Sequence, residues 1–469
     1  MMMKKTKIIC TIGPSSWDPE IIRKMINLGM NCARVNGAFA DANELDKVTK
    51  LVRDVSDKVS LMMDIKGPEV RLNKFSNPIT IKPGDIVKIG NSPDSEIYPS
   101  NFKDLYKHLL VGQKIVIGDG DVELKIVKIE NENIFAEVVF GEELKPGKSM
   151  NLPGSNYTSS ILTDKDIENL KHSLKLGWDF VSASFVQNAN AAREIKKYLN
   201  GTNMKLIAKI EDSSGLENLD EILNEVDGVM VARGGLGVEL GLEKVPIAQK
   251  KIIERAKKAG KIVITATQML ESMINSPKPT RAEVTDVATA VLLGSDSLML
   301  SGESSVGAYP VEAVGYMAKI ALETEQYISP EICNGGLDRP TKSKLLSALA
   351  KAAAQFATEY GTSLKAILTI SEDGEIARLI AMNKILQPVH AFVSRIEFAR
   401  HLSIVWGVVT ADVFNIDFSV ADKDEILKIV SSQARSLGYV DPGDKVLLIS
   451  DPLVQHNQRL LSVFEVVEV

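Results

Sequence analysis

Two apolar runs, each stopping at a knot of polar side chains, constrain the fold of this chain most. Lys261–Ile264 reads as a strand and ends in the polar group Thr265–Gln268. A helical run, Arg281–Leu293, follows. Ser297–Leu300 then reads as a second strand and ends in Ser301–Ser304. Strand, helix and strand in this order make parallel neighbours. Polar groups gathered where parallel strands stop are how a β/α barrel builds an active site.

The same alternation runs through much of the chain. Strands are expected at Lys7–Ile12, Asn31–Val35, Val59–Asp64, Phe180–Phe185, Lys205–Ile210 and Gly228–Ala232. Helices are expected at Asp18–Leu28, Asn43–Val55, Asp164–Leu176, Ala189–Leu199, Leu216–Glu225, Val245–Ala259 and Pro310–Gln326. Eight strand–helix units favour closure into a (β/α)8 barrel. An open doubly wound sheet would carry a glycine-rich loop after its first strand. That position holds Thr11-Ile12-Gly13-Pro14 instead.

The alternation breaks between Val70 and Asn156, where short β runs and turn signals suggest a small β-barrel cap inserted into the larger barrel. A further α/β segment begins near Pro340, after a Pro- and Gly-containing linker at Ser329–Ser343. The expected division is therefore a barrel at 1–69 and 157–330, a cap at 70–156 and a C-terminal α/β domain at 340–469. A chain of 469 residues is too long for one core, which agrees with several domains.

Composition excludes some partners. A net charge of −6 without a basic block argues against nucleic acid. No apolar run reaches membrane-spanning length. Three cysteines, Cys10, Cys32 and Cys333, form neither a metal-ligand spacing nor a disulfide framework. Met1–Cys10 passes directly into a strand without the apolar core of a leader. A cytoplasmic protein with small-molecule partners is expected, with Cys10 and Cys32 buried.

The strand ends carry the chemistry. Arg34 and Asn36 end the second strand; arginine's planar fork suits a phosphate, and the alternative for Arg34 is a surface ion pair. Asp64-Ile65-Lys66-Gly67-Pro68-Glu69-Val70-Arg71 places four further charges at the entrance to the insertion. Lys209 and Glu211 lie two apart, on one face of the fifth strand. This pair reads either as a salt bridge or as a lysine for phosphoryl oxygens beside a carboxylate for Mg²⁺. Gly234 and Gly235 precede a short helical turn, where backbone N–H groups could bind an anion or simply form a flexible loop. Thr267 could cap a helix, bind a carboxylate or relay a proton.

The segments TKIICTIGPSS, MMDIKGPEVR, KSMNLPG, SASFV, KIED, VARGGLGVE, TATQMLESM, PTRAEVTDVA and MLSGES closely resemble, in order, those of the pyruvate kinase family. The resemblance implies a barrel, a mobile cap and a regulatory C-terminal domain, assembled as a homotetramer. It implies phosphoryl transfer from phosphoenolpyruvate to ADP, yielding pyruvate and ATP, with Mg²⁺ or Mn²⁺. By this resemblance Lys209 stabilises the moving phosphoryl group, Glu211 binds the divalent ion and Thr267 sits beside the enolate carbon. Arg34 and Arg71 hold phosphates, while Asp119 and Lys148 approach the nucleotide as the cap closes. Asn36, Asp64 and Ser184 belong to the cation region.

Departures from the family pattern cluster on the metal and nucleotide side. Gly235 stands where the family has an aspartate that binds the divalent ion. Ala38 and Ile65 replace hydroxyl-bearing residues near potassium, Phe39 replaces a histidine, and Gln187 replaces a basic residue. A weak or absent K⁺ site is therefore expected. Three functions follow: a working pyruvate kinase, a phosphotransferase for a related enol-phosphate or 2-oxo acid, and a non-catalytic binding protein that keeps the fold.

Overall fold

A computed structural model describes residues 4–67, 69–100, 102–118, 120–155, 161–328, 344–414, 423–451, 453–454, 460–461 and 464–469. The barrel strands are β1 (Lys7–Thr11), β2 (Met30–Asn36), β3 (Ser60–Ile65), β4 (Phe180–Ala183), β5 (Lys205–Ile210), β6 (Gly228–Ala232), β7 (Ile262–Ala266) and β8 (Ser297–Leu300). They close in chain order, β8 against β1, with every neighbouring pair parallel.

Local signals explain the helix starts. Asp18 caps Pro19–Asn27 through the Glu20 N–H, and Gly29 leaves that helix at φ +115°. Thr163 and Asp166 form a reciprocal capping box on Asp164–Lys175, satisfying N–H groups that the helix itself cannot pair. Thr280 and Glu283 do the same for Arg281–Leu293. The expected helix Leu216–Glu225 is two pieces, Ser213–Glu217 and Leu219–Glu225, because Asn218 leaves helical geometry at φ −89° and ψ 13°.

Apolar side chains seal both sides of the barrel wall. Outward residues such as Ile8, Val35, Val181 and Val229 pack against the helices. Inward residues, including Ile9, Cys32, Met62, Phe180, Ile207 and Met230, join one cluster with Ile380, Leu402 and Val405 of the C-terminal domain. That domain therefore covers one end of the barrel, where Ser297 Oγ donates to the Ile404 carbonyl at 2.8 Å. The opposite end, where the strands finish, is left for the site. Cys10 and Cys32 are buried thiols as expected.

Where a small barrel was expected in the insertion, the described strands divide into two sheets. Five antiparallel strands run in the order Met150–Asn151, Lys114–Ile117, Val122–Glu130, Asn133–Phe140 and Ile86–Ile89. Ile79–Thr80 pairs separately with Glu143–Leu144. The insertion has its own apolar cluster, including Val70, Leu124, Ile126 and Val138.

The C-terminal sheet runs Val408–Val413, Val389–Val393, Ala366–Ser371, Lys445–Ser450 and Phe464–Glu468, the last antiparallel. Sequence reading missed the edge strand Val408–Val413, whose Thr410 and Asp412 interrupt its apolar pattern. The expected linker at 329–343 lies outside the described residues.

Candidate active site

Parallel strands deliver their last side chains to one mouth. Arg34, near the end of β2, is 7% exposed and already committed. Its Nε and Nη2 donate to Asp64 Oδ2 at 3.0 and 2.7 Å, and its Nη1 donates to Thr11 Oγ1 at 2.9 Å. The expected phosphate-binding arginine thus fixes a carboxylate on the neighbouring strand. Burial would raise the Asp64 carboxyl, but Arg34 and Lys209 overcome it and hold the group below the usual carboxylate range.

Lys209 continues the chain of charges from β5. Its Nζ donates to Ser184 Oγ at 2.6 Å and lies 3.4 Å from Asp64 Oδ1 and 3.2 Å from Glu211 Oε1. Burial alone would push the ammonium's titration down. Asp64 and Glu211 reverse that, so Lys209 titrates above its ordinary value and stays charged. Glu211, 8% exposed, receives the Phe185 N–H on Oε2 at 2.8 Å. Burial pushes its carboxyl up despite the opposing charge of Lys209.

The sixth strand corrects one expectation. The helix Arg233–Leu240 begins before the glycines, so Gly234 and Gly235 form its first turn. The Gly234 N–H is not free for an anion, because it donates to Thr267 Oγ1 at 2.9 Å. Gly235 packs directly on Glu211, the residue that follows β5. A Cβ there would lie 2.9 Å from the Glu211 Cβ and 3.2 Å from the Glu211 carbonyl oxygen. The glycine therefore permits a close approach of helix to strand as well as removing a carboxylate.

Part of the first polar knot reaches the mouth. Thr265 is fully buried, with its Oγ1 2.7 Å from Ser295 Oγ. Thr267 and Gln268 project beyond it with positive φ, +69° and +52°. Half of the second knot is internal. Glu303 is fully buried and receives the Leu270 and Ser301 N–H groups at 3.1 and 2.7 Å, while Ser304 Oγ donates to the Thr11 carbonyl. Glu303 and Ser304 thus brace the strand ends from within.

The cap residues are also paired. Arg71 bonds Glu69, 2.7 Å from Nη2, and its Nη1 donates to the Gly147 carbonyl at 2.8 Å. Lys148 meets Asp121 at 3.1 Å. Asp119 lies outside the described residues. Asn36 Oδ1 receives the Ala38 N–H at 3.1 Å, turning the loop after β2, and Phe39 is 79% exposed.

Sequence reading missed several supports. Asp166 receives the Lys66 and Gly67 N–H groups at 2.9 and 3.2 Å and so anchors the cap hinge. The helix start beside it was legible, but this second duty of Asp166 was not. Gln187 Nε2 donates to Asp212 Oδ2 at 2.8 Å, which steadies the turn after Glu211. Burial, then the charge of Asp212, pushes Glu239 up to about 7.

Among the described residues, no three His, Cys, Asp or Glu side chains converge as a metal cage. Glu211 could offer a carboxylate oxygen at the mouth, beside Asp64, whose Oδ1 also faces Lys209. A single carboxylate with substrate oxygens and water fits Mg²⁺, which loses its hydration reluctantly. No described helix is long and apolar enough to cross a membrane.

Comparison with known proteins agrees with this geometry. Residues 3–314 match the family model "Pyruvate kinase, barrel domain", and residues 347–459 match "Pyruvate kinase, alpha/beta domain". A pyruvate kinase of Sporosarcina psychrophila is 37% identical over 459 residues, covering 95% of this chain and 77% of that protein. One from Clostridium perfringens is 34% identical over 462 residues, covering 95% and 96%. A crystal structure of a pyruvate kinase from Cryptosporidium parvum superposes with a TM-score of 0.89 at 34% identity, covering 99% of this chain and 96% of the other. With both domain models matched in order and near-complete coverage, the chain belongs to the pyruvate kinase family.

Proposed function

We propose that this chain catalyses transfer of the phosphoryl group of phosphoenolpyruvate to ADP, with Lys209, Glu211 and Thr267 at the reacting atoms. The observation that carries this reading is the continuous charge chain Arg34–Asp64–Lys209–Glu211 at the barrel mouth. The bond between phosphorus and the enol oxygen breaks, and a terminal phosphate oxygen of ADP forms the new one. The enolate left behind takes a proton on its terminal carbon to give pyruvate.

The protein's part is positioning and charge. Asp64, fixed by Arg34, stations the Lys209 ammonium, which then meets the equatorial phosphoryl oxygens. Thr267 presents its hydroxyl toward the carbon that is protonated. Glu211 would hold Mg²⁺ or Mn²⁺. When bound, such an ion neutralises phosphoryl and carboxylate oxygens. Arg71 and Lys148 reach the nucleotide phosphates by exchanging Glu69 and Asp121 for them as the cap closes. A K⁺ ion near Asn36 and Asp64 would meet Arg34 and Lys209 already on that carboxylate, which supports a weak or absent monovalent site.

A homotetramer is part of this proposal. Leu242, Ile247, Val284 and Leu292 are exposed on barrel helices and would be covered by another copy. Light scattering tests that assembly.

Steady-state formation of pyruvate from phosphoenolpyruvate and ADP tests the reaction, with Lys209→Met as the inactive control. Wild-type turnover equal to that of Lys209→Met rejects it. The tight seat of Gly235 on Glu211 favours one second reading, a chain that binds phosphoenolpyruvate or a related enol-phosphate without turning it over. Saturable binding without pyruvate formation would select that reading.

A further inference from the structure

Thr267 and Gln268 are consecutive residues in the left-handed region, with φ +69° and +52°. A β-branched residue there is a steric outlier, and such a backbone persists only where its surroundings over-determine it. Those surroundings are visible. The Arg233 guanidinium, 9% exposed, donates from Nε and Nη2 to the Thr267 carbonyl at 3.1 and 2.6 Å. Nη2 also donates to the Gln268 carbonyl at 3.0 Å. Nη1 is held by both Asp286 oxygens at 2.6 Å. The next residue, Gly234, donates its N–H to Thr267 Oγ1.

One helical turn therefore grips Thr267 twice, through its carbonyl and through its hydroxyl. Because the hydroxyl accepts from Gly234, its own proton is left to point elsewhere. A return to ordinary backbone geometry would swing the carbonyl off Arg233 and Oγ1 off Gly234. Lysine could not substitute for the arginine, since a single nitrogen lacks the planar fork that spans two carbonyls and a carboxylate.

We propose that Arg233 and Asp286 form a positioning pair that holds Thr267 in its left-handed conformation and so aims its hydroxyl at the enolate carbon. Neither residue touches substrate. The inference rests on the role given to Thr267 above.

The test uses the full chain with Asp286→Asn, Arg233→Lys, Thr267→Ala and the two combinations with Thr267→Ala. The readouts are kcat, KM for phosphoenolpyruvate, thermal stability, and exchange of pyruvate methyl protons for deuterium. That exchange is enolate protonation run backwards: the C–H bond breaks, and the carbon later takes a deuteron from solvent. Misplacement of a reacting group by about 1 Å lowers turnover about 10²-fold. Asp286→Asn and Arg233→Lys are expected to lower kcat and exchange by about that factor, with KM changed less than about threefold. In the Thr267→Ala background the same substitutions should change kcat less than about twofold, because the group they aim is gone.

Equal losses in both backgrounds would show a purely structural pair and overturn the proposal. So would unchanged exchange in Asp286→Asn, which decides the matter if Arg233→Lys fails to fold or if Thr267→Ala is too slow to compare. Full activity in Thr267→Ala would instead remove the role of Thr267, and the aiming function with it.

Discussion

A side chain introduced at Gly235 separates strain from metal binding. The Cβ would sit 2.9 Å from the Glu211 Cβ, whereas carbon atoms pack comfortably at about 3.5–4.0 Å. The helix Arg233–Leu240 must then retreat from β5 by about 0.6–1.1 Å, the shortfall against that contact distance. Overpacking of this kind costs about 1–3 kcal/mol, so Gly235→Ala should lose that much stability. Gly235→Asp carries the same strain plus a carboxylate beside Glu211. Without a divalent ion the two carboxylates repel, and the aspartate variant should be the less stable of the two. With Mg²⁺ the aspartate can replace a water on the ion, and stability should recover.

Denaturant unfolding of both variants in chelator and in saturating Mg²⁺ measures the strain. Steady-state kinetics across Mg²⁺ concentrations measure the ligand. The Mg²⁺ concentration for half-maximal activity should be at least about tenfold lower in Gly235→Asp than in Gly235→Ala. That is a modest fraction of the 10²–10³-fold effect of one charge-stabilising group. An alanine variant as stable as the wild type would refute the packing argument. Identical Mg²⁺ dependence in the two variants would refute an ion at Glu211.

Asp64→Asn should cost roughly 3–5 kcal/mol, because it leaves Arg34 and Lys209 buried without their shared carboxylate; equilibrium unfolding measures it, and a loss below 1 kcal/mol would contradict the charge chain. Burial lowers His390 from 6.5 to about 4, with Asp412 opposing. The neutral ring's contribution, roughly 3 kcal/mol, is complete above about pH 6.5 and is lost as pH falls toward 4. His390→Phe should remove that share of the pH dependence of unfolding, leaving the share of His401, which burial also lowers to about 4. The stack on Tyr439, 4.5 Å between ring centroids, should be kept. Activity should vary less than about twofold between K⁺ and a bulky organic cation at constant ionic strength, since Ala38 and Ile65 offer no hydroxyl; strong saturable K⁺ activation would disprove this. That figure is small beside the ~10²-fold worth of one preorganised charge.

The barrel was legible because its strands are mostly apolar, largely buried runs that alternate with amphipathic helices. Lys209 and Glu211 could be placed together because strand geometry puts alternate residues on one face. What the sequence could not convey was engagement across strands. Nothing within Arg34-Val35-Asn36 says that the guanidinium is taken by Asp64, thirty residues on, and by Thr11. Nothing in Gly234-Gly235 says that one N–H is spent on Thr267 and that the next Cα lies against Glu211. The second polar knot misled for a related reason. A buried glutamate that satisfies two backbone N–H groups has the composition of a site residue, and only its burial distinguishes it. Asp286 was invisible because its partner is fifty-three residues away.

These engagements also bear on how the divalent ion arrives. Arg34 and Lys209 face Asp64 and Glu211 within a nearly closed set of ion pairs. The family's additional aspartate would leave such a mouth with an excess of negative charge, which favours a resident cation. With Gly235 in its place these charges are matched, and Lys209 competes for the Glu211 carboxylate. On the proposed reaction, the phosphate and carboxylate of phosphoenolpyruvate would draw Lys209 toward the phosphate, release Glu211 and supply oxygens to the ion. Divalent-ion and substrate binding should therefore be strongly coupled in this chain, and by linkage each must tighten the other by the same factor. Calorimetric titration of Mg²⁺ with and without phosphoenolpyruvate, in the absence of ADP, measures that factor. It should exceed about tenfold, or 1.4 kcal/mol. Mg²⁺ binding of equal strength in both titrations would mean that Glu211 is already free of Lys209 in the resting enzyme, and the matched-charge account would fail.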